Sequence, residues 1–240
     1  MNILITICAR GGSKGIPGKN IKLIAGKPLI KYSIDLAMKF QKNRSVKIGL
    51  STDCSKIKLE AAKCGLNTDY IRPNYLATDS IGKLDAIIDL LKFEESKVDF
   101  EYDLVLDLDV TSPLRSINDI ENALKSLLDD RNALNIFSVN RANRNPYFNM
   151  VEKNTYGYYS LSKTDLNGNS LTRQSAPNVY ELNASFYWYK RSFFEKNFST
   201  AISDKSLIYL MDHICFDIDH LEDFLFMEYL LENDKLDFEL

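Results

Sequence analysis

The sequence predicts an α/β fold with a doubly wound, mostly parallel sheet, and three observations support this prediction. Short apolar runs rich in β-branched residues alternate with longer stretches in which apolar residues recur at helical spacing. Strands that alternate with helices generally pair in parallel. A basic, glycine-rich loop, Ala9–Asn20, follows the first apolar run, and ligands of such sheets bind at the carboxyl ends of the strands. We therefore expect the functional site at that edge.

The composition fits a single domain, 1–240. Of the 240 residues, 45% are hydrophobic and 26% are charged, and the formal net charge is −3. This balance gives no reason to expect nucleic acid or a membrane as a partner. The sequence starts with a short strand-like run without the pattern of a signal peptide, and no apolar run approaches the length of a membrane span. The four cysteines show no metal or redox spacing. We expect a cytoplasmic protein with reduced cysteines.

The predicted elements follow in a regular order. Strands are predicted at Ile3–Cys8, Val46–Ser51, Leu104–Asp109, Ile136–Val139 and Ala184–Tyr189, with a brief strand and turn at Tyr70–Pro73. Helices are predicted around Ile30–Met38, Ile57–Lys63, Leu84–Leu91, Ile117–Leu128 and Leu221–Asn233. Ser116 is a suitable N-cap for the fourth helix.

The pattern changes near Arg141. From about 141 to 182 the chain is rich in Asn, Tyr and Ser, with hairpin-like pieces such as Asn167–Asn169. We interpret this stretch as a small inserted β-arm and not as a second core.

The loop Ala9–Asn20 has several interpretations. A P-loop would need G-x-x-x-x-G-K-[ST], but Ser13 stands where its first glycine belongs, and Asn20 replaces the hydroxyl residue. No register supplies the G-x-G-x-x-G of a dinucleotide-binding loop. The third interpretation is a nucleotidyltransferase loop, which wraps a triphosphate with backbone amides and basic side chains. A solvated turn with incidental charges is the remaining alternative.

Further motifs follow along almost the whole chain. They are Ser51-Thr52-Asp53, Arg72-Pro73 with Ala77-Thr78-Asp79, Thr111-Ser112-Pro113-Leu114-Arg115, Asn183-Ala184 with Tyr187, and Asp217-Ile218-Asp219. Together with the loop, they resemble the signatures of the cytidylyltransferases that make CMP-sialic acids, including the legionaminic acid branch. Most of these motifs are weak alone, but in this order they make a strong match.

The resemblance implies a Rossmann-like nucleotidyltransferase fold and a Mg²⁺-dependent enzyme. Such an enzyme transfers CMP from CTP to the anomeric hydroxyl of a nonulosonic acid, an acidic nine-carbon sugar, and releases pyrophosphate. In the family the region equivalent to the arm mediates dimerisation and helps to close the sugar site, so a homodimer is expected. A CMP-Kdo-type synthetase and a catalytically silent nucleotide-binding protein of the same fold are the alternatives.

The resemblance also assigns roles to individual residues. The expected nucleotide-binding residues are Arg10, Gly11, Gly12, Ser13, Lys14, Lys19, Asn20, Arg72 and Asp79. Of these, Arg10 and Lys19 are also expected to act in catalysis. The expected sugar contacts are Asp109, Thr111, Ser112, Arg173 and Tyr187. Asp217 and Asp219 are the expected Mg²⁺ ligands, and in a regular strand both would face one side.

Two positions depart from the family pattern. Asp109 stands where many members carry a glutamine. Because Asp109 lies at the end of the central strand, we expect it to act in catalysis, as a metal ligand or as the base that activates the sugar hydroxyl. A sugar contact is the alternative for Asp109, and a structural role is expected for Asp107. Glu181 replaces a cation, which fits a sugar such as legionaminic acid better than ordinary sialic acid.

Overall fold

The structure, a computed structural model, describes residues 1–13, 15–164 and 172–240. Its strands are β1 Ile3–Cys8, β2 Leu23–Ile24, β3 Lys27–Pro28, β4 Val46–Ser51, β5 Leu104–Asp109, β6 Asn135–Arg141, β7 Val151–Lys153, β8 Tyr159–Leu161, β9 Tyr180–Lys190 and β10 Ser206–Leu210. Its helices are α1 Leu29–Gln41, α2 Ser55–Lys63, α3 Lys83–Glu95, α4 Ile117–Asp129, α5 Arg191–Phe194 and α6 Leu221–Glu232.

The main sheet has the strand order β10-β6-β9-β5-β1-β4. β1 pairs in parallel with β4 on one side and with β5 on the other, which places Cys8 between Ser51 and Asp109. β9 pairs antiparallel with β5. The predicted, mostly parallel sheet is confirmed, and the carboxyl ends of β1, β4 and β5 meet at one edge.

Side chains of β1 and β5 alternate between two apolar layers, as the period of a strand requires. Ile5 and Leu106 belong to the layer that includes residues of α1 and α4. Leu4 and Val105 pack instead with Leu84 and its neighbours on α3. Helices therefore cover both faces of the sheet, which confirms the doubly wound arrangement.

One predicted strand is wrong. Tyr70–Pro73 forms no strand, and a 3₁₀ turn at Asn74–Ala77 follows it. The N–H of Arg72 donates to the carbonyl of Thr52 (3.0 Å) just beyond the end of β4, and Pro73 has no N–H with which to continue a ladder.

The predicted cap of α4 is present. The Ser116 hydroxyl accepts a hydrogen bond from the Asp119 N–H (3.2 Å), and the Asp119 carboxylate accepts one from the Ser116 N–H (2.6 Å). Such a capping box satisfies donors that would otherwise lack partners at the helix start. It also fixes the Asp119 carboxylate at the N-terminus of α4.

The chain divides into two compact units, one made of Met1–Ser138 with Asn183–Leu240 and the other of Val139–Leu182. In the second unit, β7 and β8 pair as an antiparallel hairpin. The predicted turn at Asn167–Asn169 lies outside the described residues. The role of this arm in dimerisation stays a prediction. Among the described residues, no helix has the length and apolarity needed to span a membrane.

His213 forms an ion pair with the capping carboxylate of α4. Its Nε2 lies 2.9 Å from Oδ2 of Asp119. Burial disfavours the imidazolium, but the hydrogen bond with Asp119 and the bond with the Ile214 carbonyl outweigh burial and raise the pKa of His213. Burial also opposes ionisation of Asp119, yet the bonds from His213 and Ser116 lower its pKa. The pair therefore attaches the segment after β10 to α4.

We expect His213→Gln to destabilise the protein most below about pH 6.5, the ordinary pKa of histidine. A histidine with a raised pKa stabilises the fold fully below its unfolded pKa, and this contribution is lost as the pH rises through its folded pKa. Free energies of unfolding of both proteins at pH values of about 5.5 and about 8.5 measure the effect. A difference that is equal at both pH values would contradict the ion pair.

Candidate active site

A cavity of about 430 Å³ opens at the carboxyl edge of the sheet. Its lining comes from the loop after β1, from the region that leads into α3, from the end of β5 and from the segment before α6. These residues are Cys8, Arg10, Ser13, Gly15, Lys19, Asn20, Arg72, Leu76, Thr78, Asp79, Ile81, Gly82, Lys83, Ala86, Asp109, Thr111 and Asp219. The structure thus brings together more than half of the residues predicted for the site.

Polar contacts hold the loop after β1. The N–H of Gly11 donates to Oδ1 of Asp53 (2.9 Å), at the end of the neighbouring strand β4. The buried amide of Asn20 donates to the carbonyl of Arg10 (3.0 Å) and closes the loop on itself. The loop is therefore held at both of its ends before any ligand binds.

Two positions in the loop require glycine for specific structural reasons. A Cβ on Gly15 would lie 2.2 Å from the carbonyl oxygen of Asp219, a distance that no real side chain tolerates. Gly18 has a φ of +68°, in the left-handed region that favours glycine. Close approach at one position and a sharp turn at the other let the loop lie against the segment before α6.

Lys19 joins the loop to that same segment. Its Nζ donates to the carbonyl of Ile218 and lies 3.6 Å from Oδ1 of Asp219. Its side chain is only 12% exposed, so the ammonium is held at the wall of the cavity. This position suits an interaction with an anionic group of a ligand.

Two further cations line the cavity. Arg10 forms an ion pair with Asp79 at 2.6 Å. Arg72 is buried and donates from Nε and Nη2 to the hydroxyl and carbonyl of Ser51, both at 2.8 Å. Arg72 is thus fixed to the end of β4, whereas Arg10 is held only by a partly exposed pair.

Asp217 and Asp219 lie in an irregular segment before α6 and not in a regular strand. The N–H of Ile218 between them donates to the carbonyl of Thr111 (2.8 Å) in the loop after β5. That bond fixes the segment beside β5. Asp219 is exposed and lines the cavity, whereas Asp217 is half-buried next to it.

The carboxylate of Asp217 is only partly satisfied by protein groups, which include a side-chain hydrogen bond from Thr111. Burial raises its pKa, and the nearby charges of Asp109 and Asp219 raise it further. Among the described residues, nothing forms a hydrogen bond with its buried Oδ1. An unsatisfied carboxylate oxygen beside two other carboxylates fits a bound cation, and oxygen ligands suit Mg²⁺.

The donor set also limits which metal fits. The described ranges contain no group of three or more His, Cys, Asp or Glu residues that could hold a metal ion. Mg²⁺ typically takes one or two carboxylates and keeps several waters. Asp217 and Asp219 therefore match Mg²⁺ better than a metal that needs a complete protein cage.

Both oxygens of Asp109 are occupied. Oδ1 accepts hydrogen bonds from the N–H and the hydroxyl of Thr111 (2.8 and 2.9 Å), and Oδ2 accepts one from Nζ of Lys83 (2.6 Å). Burial alone raises the pKa of Asp109, but Lys83 and Thr111 outweigh it and hold the pKa below its usual range. A carboxylate in this state is a weak proton acceptor, so the geometry does not fit the base predicted for Asp109.

Three of the predicted sugar contacts lie outside the cavity lining. Ser112 is fully buried, and its hydroxyl donates to the carbonyl of Phe216 (3.1 Å). The ring of Tyr187 stacks with Tyr189, and burial raises the pKa of Tyr187 to about 12. Arg173 belongs to the second compact unit, where it donates to the carbonyl of Asn143 (3.2 Å). Their sugar contacts stay predictions.

The predicted nucleotide contact Lys14 lies outside the described residues. Gly11 and Gly12 lie in the loop after β1, and Gly12 is exposed there. Their backbone contacts with a nucleotide stay predictions as well.

Two residues of the site carried no prediction from the sequence. Asp53 holds the loop through Gly11, and its place in Ser51-Thr52-Asp53 was a usable signal. Lys83, the first residue of α3, lies 2.5 Å from Oδ2 of Asp107 and 2.6 Å from Oδ2 of Asp109. A single lysine at a helix start gives no such signal, because its partner Asp109 is 26 positions away.

The fold and the cavity define a class of protein. A doubly wound sheet whose carboxyl edge holds a basic, glycine-rich loop opposite carboxylates is typical of nucleotidyltransferases. The chain belongs to the cytidylyltransferase family, whose model matches residues 4–230. It is therefore a nucleotidyltransferase enzyme.

Relatives match along almost the whole chain. A post-translational flagellin modification protein B of Campylobacter coli is 37% identical over 98% of this chain and 97% of its own length. A CMP-N,N'-diacetyllegionaminic acid synthase of Campylobacter jejuni is 38% identical over 95% of this chain and 94% of its own length. The structure of a CMP:2-keto-3-deoxy-manno-octonic acid synthetase complexed with CTP has a TM-score of 0.69, covers 98% of this chain and all of its own, and is 18% identical. That last likeness supports the fold alone.

We expect Gly15→Ala to destabilise the ligand-free protein by about 1–3 kcal/mol, the usual range for overpacking. Its Cβ would collide with the backbone carbonyl oxygen of Asp219. Gly12→Ala is the matched control, since nothing lies within 4 Å of a Cβ at Gly12. Thermal or denaturant unfolding of both variants measures the effect. Equal stability of the two variants would mean that the loop does not contact Asp219.

Proposed function

We propose that this enzyme transfers CMP from CTP to the anomeric hydroxyl of a nonulosonic acid, of which legionaminic acid is the favoured type. The observation that carries the proposal is the cavity itself, where the cations of the loop face Asp219 across the carboxyl edge of the sheet. The relatives named for CMP-legionaminic acid synthesis support the sugar class. The departure at Glu181 agrees with a sugar other than ordinary sialic acid.

In the proposed reaction, the sugar hydroxyl oxygen forms a bond with the α-phosphorus of CTP. The bond from that phosphorus to the β-phosphate oxygen breaks, pyrophosphate leaves, and the hydroxyl proton passes to solvent. Transfer of this kind depends mainly on alignment and neutralisation of charge. Arg10 and Lys19 supply positive charge from the loop, and Arg72 supplies it from a position fixed to β4.

Mg²⁺ is the proposed cofactor, with Asp217 and Asp219 as its protein ligands. When bound, it would neutralise charge on the phosphate oxygens. The unpaired Oδ1 of Asp217 and the exposed carboxylate of Asp219 support this proposal from the chain's own residues. Lys19 lies beside Asp219 and is placed to share the same anionic group.

The arm at 141–182 is proposed to mediate homodimerisation. Within the second unit, Val151, Tyr156, Tyr158 and Tyr159 are between 62% and 85% exposed. Large apolar side chains exposed together often mark an interface with a partner. A cytoplasmic location completes the proposal, since CTP and activated sugars are supplied there.

Pyrophosphate release from CTP and Mg²⁺ with a panel of acidic sugars tests the function. Pyrophosphate release should be faster with legionaminic, pseudaminic and sialic acids than with Kdo. Turnover with Kdo alone would favour the CMP-Kdo-type alternative. CTP binding without turnover of any sugar would favour a catalytically silent protein.

We expect Asp217→Asn and Asp219→Asn to lower turnover by about a hundredfold or more, because the metal and its charge stabilisation are lost. Asp204→Asn is the control, since Asp204 lies in an exposed turn far along the chain from the loop. The kcat for pyrophosphate release at saturating Mg²⁺ is the measurement. Near-normal activity in both variants would remove the two carboxylates from the mechanism.

A further inference from the structure

Lys83 lies at the wall of the cavity with its charge fixed in place. It is the first residue of α3, and its side chain is 32% exposed and lines the cavity. Its Nζ lies 2.5 Å from Oδ2 of Asp107 and 2.6 Å from Oδ2 of Asp109. Asp107 is fully buried, so one of these carboxylates lies beneath the cavity surface and the other lies at it.

Both carboxylates are themselves anchored. Oδ1 of Asp107 accepts a hydrogen bond from the hydroxyl of Thr6 on the adjacent strand β1 (2.8 Å). Oδ1 of Asp109 accepts bonds from Thr111. Asp107 and Asp109 are two residues apart on β5 and face the layer of α3. The ammonium of Lys83 is therefore held between two fixed points at the start of that helix.

The charge of Lys83 is permanent at working pH. Burial opposes its ionisation, but the carboxylates of Asp107 and Asp109 outweigh burial and raise the pKa of Lys83 well above its usual value. An ammonium has three N–H donors. The hydrogen bond to Oδ2 of Asp109 and the ion pair with Oδ2 of Asp107 engage at most two of them, so a third N–H is left for the cavity, to which the exposed part of the side chain is open.

We propose that Lys83 is a substrate-contact residue, which donates its third N–H to an anionic oxygen of a substrate bound in the cavity, and that Asp109 positions Lys83. This inference rests on the proposed function, because that function defines the substrates. An anionic oxygen of this kind exists on the phosphates of CTP and on the carboxylate of the sugar. The chemistry is the same for both, and the experiment separates them.

The test uses Lys83→Met, which removes the charge, and Lys83→Arg, which keeps it. Lys92→Met is the matched control, since Lys92 is exposed on the same helix. The double variant with Lys83→Met and Asp107→Asn removes the buried carboxylate that the single change would leave without its cation. The protein is titrated with CTP and Mg²⁺ by calorimetry, and kcat and sugar KM are measured by pyrophosphate release.

We expect Lys83→Met to raise either the Kd of CTP or the KM of the sugar by about tenfold or more, as for loss of a charge-assisted hydrogen bond. A raised Kd of CTP would identify a phosphate oxygen as the partner of Lys83, and a raised KM of the sugar would identify the sugar carboxylate. The double variant should recover thermal stability without recovering substrate affinity. Lys83→Arg should stay within a few-fold of the wild type. A folded double variant with both constants unchanged would overturn the proposal.

Asp109→Asn tests the positioning role. It should raise the same constant as Lys83→Met by a smaller factor, and its effect should largely disappear when Lys83 is already methionine. A loss of kcat by about a hundredfold with unchanged Kd and KM would identify Asp109 as the base and overturn its positioning role. If no sugar of the panel reacts, the proposed function fails, and the CTP titration alone then decides. In that case, a CTP affinity that is unchanged in Lys83→Met would overturn the proposed contact between Lys83 and the substrate.

Discussion

The buried guanidinium of Arg115 holds together the edge of the sheet on which the site is built. Its Nη1 donates to the carbonyls of Ser112 and Ser185 (both 2.7 Å), and its Nη2 donates to the carbonyl of Asp109 (3.0 Å) and the hydroxyl of Ser33 (2.7 Å). Burial lowers its pKa to about 10, which leaves it charged at neutral pH. A buried positive charge must be compensated by nearby oxygen atoms. Loss of any one of these oxygens would leave the guanidinium poorly compensated, so the guanidinium holds all of the groups that carry them in place. Arg115 therefore holds together the end of β5, the loop after it, β9 and α1.

Three cations of the site lie beside carboxylates. Arg10 lies against Asp79, Lys19 lies near Asp219, and Lys83 lies against Asp109. Partly exposed pairs such as the first are worth only about 0–1 kcal/mol. A polyanionic ligand can replace such a partner with little loss, while the cation keeps its place. Arg72, the buried cation of the site, is held by hydrogen bonds to Ser51 and not by a carboxylate.

Much of this arrangement could be predicted from the sequence, where the cause is local. Short apolar runs rich in β-branched residues located β1, β4 and β5, and the loop composition located the cations. What could not be predicted depends on distant parts of the chain. Asp217 and Asp219 are held beside β5 by the bond from the Ile218 N–H to the Thr111 carbonyl. Asp109 is not a free base because Lys83, 26 positions before it, reaches its carboxylate. No pattern within either segment contains these contacts.

The contact between the loop after β1 and the segment before α6 has a consequence for synthesis. Lys19 and the Ile218 carbonyl are 199 residues apart in the chain. A ribosome makes the loop before its support, and chains are synthesised at about 5–20 residues per second. Closing so long a separation is also slow relative to local structure. The nascent chain therefore carries the loop without this support until the segment around Ile218 has been made.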